Sequence, residues 1–438
     1  MSKRSFLWAV ALFLLALPSV AANPAPVGAK FRVSTCTTCN QREPALAGVP
    51  SGEFFAAWAG QSGLDLHGVA GRLFKNTGAP KAPDFLINRG VLPPDQDDVA
   101  VAGDATGYVA AWASLLALNR DVFVQRYTLA GVATGSPILV NLPDTTTPAF
   151  ADFNPIVAKT AGGGFVVAWV RFQPAGVGTN GTNPEVLLRR FNNSGVALGN
   201  PIKLNTNLVN GDRPDLCVDT TGQVNVVWTS ADGFPLFQAN HRGVSVRIVS
   251  AAGATVGNEI IVAQPLATLA PVAISCGKTG IFTVAWESDL PPSTDAADIL
   301  GSRYSKVGRR LGTVFRINSL NAGRQQNPAL SHDAAGNLVA VWQSDTGNGG
   351  GILGRRFSAA NVAAGPDFLI DAYAAGETHS IEPDVAHVGT TGNFVVVFED
   401  GLQGVFARRY TPSAIASREF AELDASQAAE EPSDELEN

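Results

Sequence analysis

The sequence predicts an all-β protein, a seven-bladed β-propeller of four-stranded blades. A large aromatic residue recurs every 54 to 59 residues, as Trp58, Trp112, Trp169, Trp228, Trp286, Trp342 and Phe398. Each interval contains short apolar runs separated by turns rich in Gly, Asn and Pro. No segment after the predicted signal shows the periodicity of an amphipathic helix. Repeats of this length, built from short strands, are typical of propeller blades.

Each repeat contains four strand-like pieces, which in the sixth repeat are FRIN (315–318), PALS (328–331), LVAVW (338–342) and ILGRRF (352–357). Pieces of the LVAVW type are apolar on both faces. In the third repeat Phe165, Val167 and Trp169 point one way, and Val166 and Ala168 point the other. A strand buried on both faces needs a neighbour on each side, which stacked blades provide. The aromatic column is therefore expected to fill the space between blades.

The order of the pieces also predicts how the ring closes. With the PALS-type piece innermost, the first blade begins at Pro44, and the seventh runs from Pro383 to Tyr410 with three strands. The FRVS piece at 31–34 matches the outer strands of the other repeats and is expected to complete the seventh blade. Closure of this kind removes two open sheet edges, and a ring buries faces that a single blade would leave exposed.

The two ends of the chain differ from the repeats. Lys3 and Arg4, an apolar run at 6–17 and small residues up to Ala22 predict a secretory signal over 1–22, and the run is too short to span a bilayer. Residues 23–412 form the predicted propeller. Residues 413–438 are expected to be a disordered acidic tail, since 418–438 hold eight acids and one Arg. We therefore expect a secreted or periplasmic monomer.

Charge and side-chain chemistry exclude several function classes. Outside the signal and the tail the chain is nearly neutral, which excludes nucleic acid as a partner, and it has no further run apolar enough for membrane insertion. The five histidines lack zinc-like spacing, and no catalytic triad or phosphate loop is recognisable. We expect no cofactor. The segments DLPPSTDAAD (289–298) and DTGNGGG (345–351) resemble calcium loops superficially and leave calcium open, although neither has the ligand spacing of a known loop.

Four cysteines in an exported chain predict disulfides. Cys36 and Cys39 form a CTTC segment, for which a small structural bridge is expected. Cys217 and Cys276 follow the Pro of successive inner strands by three and five residues, so their pairing stays open. An arginine recurs in every fourth piece and is expected to pair with carboxylates of its own blade; these are Arg72, Arg126, Arg190, Arg247, Arg303, Arg356 and Arg409.

A binding site is expected where loops vary on the repeated scaffold. The most variable loops are 113–121, 171–184, 230–242 and 287–298, all on one face. The candidate ligand-binding residues in them are Arg171, Phe172, Phe234, Phe237, His241 and Asp295. The leading hypothesis is a non-catalytic protein that binds a glycan or a protein through this face. The alternatives are a polysaccharide hydrolase or lyase with carboxylates at the central channel, and a structural component of the cell envelope.

The repeat P-x-V-A, G-x-F-V-V-x-W-x-S-D, I-x-x-R-R-F and F-x-I-N, which covers about 31–410, resembles those of bacterial exported β-propeller proteins. Such repeats often stand beside calcium-binding adhesin modules. The resemblance implies a propeller and export, and it carries no assigned activity. The nonapeptide calcium repeats of the adhesins are absent from this sequence, so adhesion is not implied.

Overall fold

The computed structural model describes residues 23–62, 65–90, 95–116, 119–142, 150–172, 184–206, 210–231, 243–263, 266, 271–289, 297–320, 322–345, 349–374, 382–401 and 404–412. Within these ranges the chain forms β-strands and one 3₁₀ turn at Ala161–Gly163. The predicted all-β, propeller-like class is confirmed. The expected signal at 1–22 and the expected tail at 413–438 both lie outside the described residues.

Four sheets contain four strands each, which run antiparallel to their neighbours and follow the order of the chain. One consists of β3 (Gln41–Gly48), β4 (Phe54–Ser62), β5 (Asp65–Phe74) and β6 (Phe85–Leu86). The others are β15 (Asn210–Val218), β16 (Val224–Ala231), β17 (Gly243–Val249) and β18 (Thr255–Ala263); β19 (Val272–Cys276), β20 (Phe282–Ser288), β21 (Asp298–Tyr304) and β22 (Arg310–Arg316); and β23 (Arg324–His332), β24 (Leu338–Asp345), β25 (Gly349–Phe357) and β26 (Phe368–Ala374).

An eight-stranded sheet contains two such sets, joined through one parallel residue pair, Ala151 with Arg120. The first set is β7 (Gln96–Asp104), β8 (Gly107–Leu116), β9 (Asn119–Tyr127) and β10 (Ala133–Leu139). The second is β11 (Ala151–Lys159), β12 (Phe165–Phe172), β13 (Glu185–Phe191) and β14 (Ile202–Lys203). The described residues therefore form six hydrogen-bonded sheets, the last of which contains both the first and the last described strands.

That last sheet has five strands, and it closes the fold as the sequence predicts. β27 (Asp384–His387), β28 (Phe394–Glu399) and β29 (Val405–Thr411) follow one another, and β29 also pairs with β1 (Ala25–Pro26) and β2 (Phe31–Arg32). Lys30 fastens this N-terminal segment, because its Nζ lies 2.9 Å from Asp371 and 2.8 Å from Asp400.

The aromatic column packs between sheets, as expected. Each of the six repeated tryptophans is at most 2% exposed, and Phe398 is fully buried. In β12, Phe165, Val167 and Trp169 join one hydrophobic cluster, whereas Val166 and Ala168 join another. Both faces of such a strand are removed from water, which contributes about 25 cal/mol per Å² of buried apolar surface.

Four outer strands, β6, β10, β14 and β22, end before the last residues of their FRIN-type pieces, whereas β26 extends beyond its own. β22 stops at Arg316, and Asn318 turns its side chain back onto the neighbouring strand. Its Oδ1 accepts a hydrogen bond of 2.8 Å from the Ile299 N–H, and its Nδ2 donates to Asp298. The side chain thus replaces the ladder bond that the next backbone group would have made. Asn141 and Asn205 make the equivalent bond with Val122 and Val186.

The repeated arginines mainly bond to backbone carbonyls of neighbouring strand sets, which corrects the expected pairing with carboxylates, and so do Arg189 and Arg355, which each precede a repeated arginine by one residue. Arg189 donates to Val140 O at 2.7 Å in the preceding set, and Arg303 donates to Ala359 O at 2.7 Å in the following set. Further bonds of this kind join Arg72 to Val33, Arg355 to Ile317, Arg126 to Asn193, Arg190 to Ala251 and Arg409 to Thr77. Pairing within a set also occurs, between Arg72 and Asp84 at 3.5 Å and between Arg355 and Asp367 at 3.8 Å.

Candidate functional site

The first strands of the sets, here called the inner strands, surround a central channel, and most of them are bulged near their start. In the pairing of β3 with β4 the register shifts between Arg42 and Ala45, so that β3 contains one more residue than β4 over this interval, which is a β-bulge. The residue at each described bulge has φ near +50°, a region that L-residues other than Asn and Asp rarely adopt. These residues are Glu43, Asp98, Asn154, Arg213 and Asn327.

The bulges face a cavity of about 550 Å³ at the end of the channel where the inner strands begin. We call this opening the channel mouth and the surface around it the loop face. All five bulge residues line the mouth, as do Asp212 and Glu382. Carboxyl groups and one guanidinium therefore meet amide side chains there, a mixture that can donate and accept hydrogen bonds in several directions.

Three links at the mouth join four successive inner strands. Glu43 Oε2 accepts from the Asp98 N–H at 2.8 Å, and Asp98 Oδ2 accepts from the Asn154 N–H at 3.0 Å. Asn154 Nδ2 in turn donates to Asp212 Oδ1 at 3.0 Å. We call these four residues the mouth-linked arc. Their side chains fix the bulged backbone while they remain part of the cavity wall.

The remaining inner strands are linked deeper in the channel wall. Asp215 accepts from the Ile274 N–H at 2.8 Å, and Asp384 accepts from the Leu46 N–H at 2.7 Å. Ser275 accepts from the His332 N–H, and Ser331 accepts from the His387 N–H, at 3.0 and 3.1 Å. Asp215, Ser275, Ser331 and Asp384 are here called the deep-linked arc.

A disulfide reinforces the deep-linked arc. Cys217 of β15 is bonded to Cys276 of β19 with 5.5 Å between their Cα atoms, so the pairing that the sequence left open is settled. Cys36 and Cys39 form the expected small bridge, with Cα atoms 5.6 Å apart. No free cysteine occurs among the described residues.

Three acids of the mouth, Glu43, Asp98 and Glu382, have a raised pKa. Burial raises the pKa of Asp98 to about 6; Asp97 adds to this effect and Arg120 opposes it. Burial also raises the pKa of Glu43, against the Asp98 N–H and Arg42. Glu382 is exposed at the rim, yet the concave wall raises its pKa too, with Arg213 opposing. Desolvation is thus the largest cause of the raised pKa at all three carboxyl groups.

A second cavity of about 380 Å³ adjoins the mouth between β3–β5 and β7–β9. We call it the cleft. Its lining includes Arg42, Gln61, His67, Asp95, Asp97 and Arg120. The cleft and the mouth share a wall, because Arg42 is followed by Glu43 and because Arg120 pairs with both Asp97 and Asp98.

Charged pairs are already formed inside the cleft. His67 Nδ1 lies 3.4 Å from Asp95 Oδ1, and both side chains are mostly exposed. Arg42 Nε lies 3.2 Å from Glu43 Oε1, and 54% of the Arg42 side chain is exposed. The imidazole and this guanidinium are therefore accessible to a ligand in the cleft.

The structure describes two of the six predicted ligand-binding residues. Arg171 donates to both carboxyl oxygens of Asp152, at 2.9 and 3.2 Å, and its guanidinium lies over the Phe150 ring. Asp152 is buried and also accepts from Trp169. Phe172 is half-buried at the end of β12. The other four, Phe234, Phe237, His241 and Asp295, lie outside the described residues, so their role stays a prediction.

The sequence analysis placed carboxylates at the central channel only as part of an alternative and named no residues there, and it did not point to His67. The residue before the Pro of each PALS-type piece forms a column, of which Glu43, Asn154 and Arg213 are members. Aligning that column would have revealed its polar character. His67, Asp95 and Arg120 come from different strands at irregular spacing, so only the fold brings them together.

Among the described residues, no group of three acidic, His or Cys side chains is arranged to hold a metal ion. Most of the calcium-loop candidate 289–298, namely 290–296, lies outside these residues, as does 346–348 of the candidate 345–351. The described part of the chain also lacks a helix of the length and apolarity needed to cross a membrane.

No known protein family and no curated protein matches the chain in sequence. Similar solved structures include a protein of unknown function from Dyadobacter fermentans, with a TM-score of 0.51 and 10% identity over 89% of this chain and 99% of that one. Polysaccharide lyase Uly1 has a TM-score of 0.50 and 9% identity over 86% of this chain and 90% of its own. At these identities the likeness concerns the fold alone, and the chain is similar to these proteins as a propeller-like β-structure.

Proposed function

We propose that this protein is an exported seven-bladed propeller that binds a polysaccharide across its loop face, in the channel mouth and the cleft. In this proposal the two halves of the eight-stranded sheet are separate blades, and β1 and β2 complete the seventh. The two disulfides agree with an oxidising compartment outside the cytoplasm.

The bulge residues are the observation that carries the proposal. A left-handed backbone costs an L-residue about 1 kcal/mol, a cost that Gly avoids. Glu43 and Arg213 bear this cost in full, whereas Asp98, Asn154 and Asn327 are residue types that adopt the conformation more readily. All five side chains are polar, and all five line one cavity. Bulges next to binding sites serve to re-aim side chains in this way.

The chemistry of the surface favours a hydroxyl-rich ligand. Arg42, Arg213 and Asn327 supply planar donors, and carboxyl groups supply acceptors, so that sugar hydroxyls can replace water at both. A similar fold in a polysaccharide lyase supports this class of ligand.

Glycoside hydrolysis has less support. It requires one carboxyl group that donates a proton to the leaving oxygen and a second that acts as nucleophile or base. In Glu43, Asp98 and Asp212 one carboxyl oxygen is held by the protein, which leaves the other oxygen for hydrogen bonds to a bound sugar and assigns no acid and base pair.

A polysaccharide array tests the proposal. The full chain should be retained by at least one polysaccharide, and Glu43→Gln should weaken retention about tenfold, since one good hydrogen bond to a charged group is worth 1.5 kcal/mol or more. Glu53→Gln, which changes an acid at the opposite end of the sheet, is the matched control and should leave retention unchanged. Equal loss in both variants, or retention by no polysaccharide, would contradict the proposal.

A further inference from the structure

The surface opposite the loop face carries cations that no acid of the fold neutralises. The inner strands begin at the loop face and neighbouring strands alternate in direction, so the turns that join the first strand to the second and the third to the fourth lie on the opposite side. We call this surface the turn face. Four of its cations are exposed and pair with no carboxylate among the described residues: Lys75, Lys278, Arg309 and Arg310.

Four of the repeated arginines add positive charge to the turn face. Each donates to a carbonyl oxygen in a turn of a neighbouring set, and the pairs are Arg126 with Asn193, Arg190 with Ala251, Arg303 with Ala359, and Arg409 with Thr77. A carbonyl group neutralises no charge, and a guanidinium group has further N–H donors beyond the one that such a bond uses.

The acids of the turn face already have partners. Glu53 Oε2 lies 3.0 Å from Lys81 Nζ, and Asp104 Oδ1 lies 3.4 Å from Lys159 Nζ. Asp219 is buried. Asp333 Oδ1 accepts from two backbone N–H groups of its own turn, both at 2.8 Å. The exposed cations and the arginines therefore give this face a positive field.

The acidic segment 413–438 leaves the fold on the turn face. β27 begins at the channel mouth, and β28 and β29 alternate in direction with it, so Thr411 at the end of β29 lies on the turn face. The segment contains eight acids, one Arg and no Lys. Its 26 residues span about 90 Å when extended, whereas a compact fold of about 390 residues has a radius of gyration of about 21 Å. The segment can therefore reach across the whole face.

A cavity of about 250 Å³ lies where the segment leaves the fold, between the last set of strands and the first. We call it the seam cavity. Thr411 itself lines it, beside Arg409 and four exposed polar residues of the adjoining turns, Ser51, Asn76, Thr390 and Thr391. Hydroxyl and amide donors next to a guanidinium group suit a carboxylate. Glu419, the first acid of the segment, is close enough along the chain to reach them.

We propose that the acidic segment 413–438 binds the turn face of its own chain, from the seam cavity across to the four exposed cations. Exposed ion pairs are individually weak, but a tethered segment meets the face at a high effective concentration, so that several such pairs act together. The mouth and the cleft lie on the other side of the ring and stay open. The contact is therefore independent of the proposed function.

Carbodiimide cross-linking of the full chain tests the contact, because the reagent joins a carboxyl group directly to an amine beside it. The segment has no lysine, so a cross-link between it and the ring identifies the lysine that its acids contact. At about 20 mM salt, mass spectrometry should find these acids joined to Lys75, Lys278 or Lys306. The yield should fall about tenfold in 1 M salt, where the Debye length is about 3 Å.

Two double variants separate the turn face from general charge effects. Arg309→Gln with Arg310→Gln removes two exposed cations of the turn face and should lower the yield at Lys278 about threefold or more. Arg89→Gln with Lys203→Gln removes two exposed cations on the loop-face side and should leave that yield unchanged. In the wild type, Lys203 is 53% exposed and should give about tenfold fewer links to the segment than Lys278.

Added polyphosphate should compete with the segment and lower the yield. Equal yields at Lys203 and Lys278, a yield that salt does not change, or equal effects of the two double variants would overturn the proposal. Links that form only between molecules and increase with protein concentration would assign the segment to a second copy of the chain and overturn it as well. Polyphosphate that binds the turn face without lowering the yield would do the same, since the face would then be open to an external polyanion.

Discussion

The mouth-linked and deep-linked arcs perform the same structural task in different ways. Both join neighbouring inner strands through a side chain that accepts a backbone N–H. In the mouth-linked arc the acceptors Glu43 and Asp98 sit at the channel opening, in or beside left-handed backbone. In the deep-linked arc Ser275 and Ser331 make the link farther along the strand, and a disulfide reinforces it.

The deep-linked arc stabilises the ring, whereas the mouth-linked arc includes backbone conformations that destabilise it. The deep-linked arc uses short side chains, close neighbours and a covalent bond, which hold the ring without strain. The mouth-linked arc retains charged side chains in a strained backbone, and strain of this kind concentrates at functional sites. The strained residues of the mouth are therefore held by inner strands that the deep-linked arc stabilises.

The largest expected effect concerns the disulfide of the deep-linked arc. Cys217 and Cys276 are 59 residues apart, so replacing both by Ala should lower the free energy of unfolding by about 4 kcal/mol through the gained chain entropy of the unfolded state. Replacing Cys36 and Cys39, only 3 residues apart, is the control and should cost about half as much. Chemical denaturation measures both, and equal losses would show that the long closure does not stabilise the ring.

A second prediction concerns the loss of stability at acidic pH that two buried histidines cause. Burial lowers the pKa of His332 to about 3 and that of His387 to about 4. These imidazoles stay neutral in the fold but become charged on unfolding below about pH 6.5. The stability they contribute is present above pH 6.5 and is lost as the pH falls towards 4. His387→Gln should therefore reduce the fall in Tm between pH 6.5 and 4 by several degrees.

The two carboxyl groups of the deep-linked arc change the stability with pH in the opposite direction to the histidines. Burial raises the pKa of Asp215 to about 7 and that of Asp384 to about 6. The fold keeps protons that the unfolded chain releases near pH 4, so this contribution is present below pH 4 and is lost as the pH rises towards 7. Asp384→Asn, which still accepts the Leu46 N–H, should flatten the slope between pH 4 and 6. An unchanged slope in either variant would contradict the assignment.

The smallest effect has the opposite sign and belongs to the mouth. Arg213 has φ of +46° and is exposed, so Arg213→Gly should raise the free energy of unfolding by about 1 kcal/mol. Arg213→Ala keeps the left-handed strain and should bring no gain. Both variants should bind polysaccharide more weakly. If the free energies of unfolding of Arg213→Gly and Arg213→Ala are equal, the backbone at the bulge is not strained.

The sequence predicted the strands, the buried tryptophans and the closure by residues 31–34, because each of these depends on a repeated local pattern. It misplaced the ends of the outer strands, since Asn318 uses a side-chain bond that periodicity does not encode. It also mistook the partners of the arginines, because guanidinium donors suit carbonyls as well as carboxylates. The cleft depends on residues from different strands, and long-range pairing of that kind is invisible in residue spacing.

The most direct test of a binding site at the mouth compares one acid from each arc. Asp98→Asn and Asp384→Asn remove one charge each, and both can keep their backbone hydrogen bond. Titration calorimetry with the best polysaccharide from the array should show at least a tenfold loss of affinity for Asp98→Asn and wild-type affinity for Asp384→Asn. Equal affinity in the two variants would contradict the placement of the site at the channel mouth.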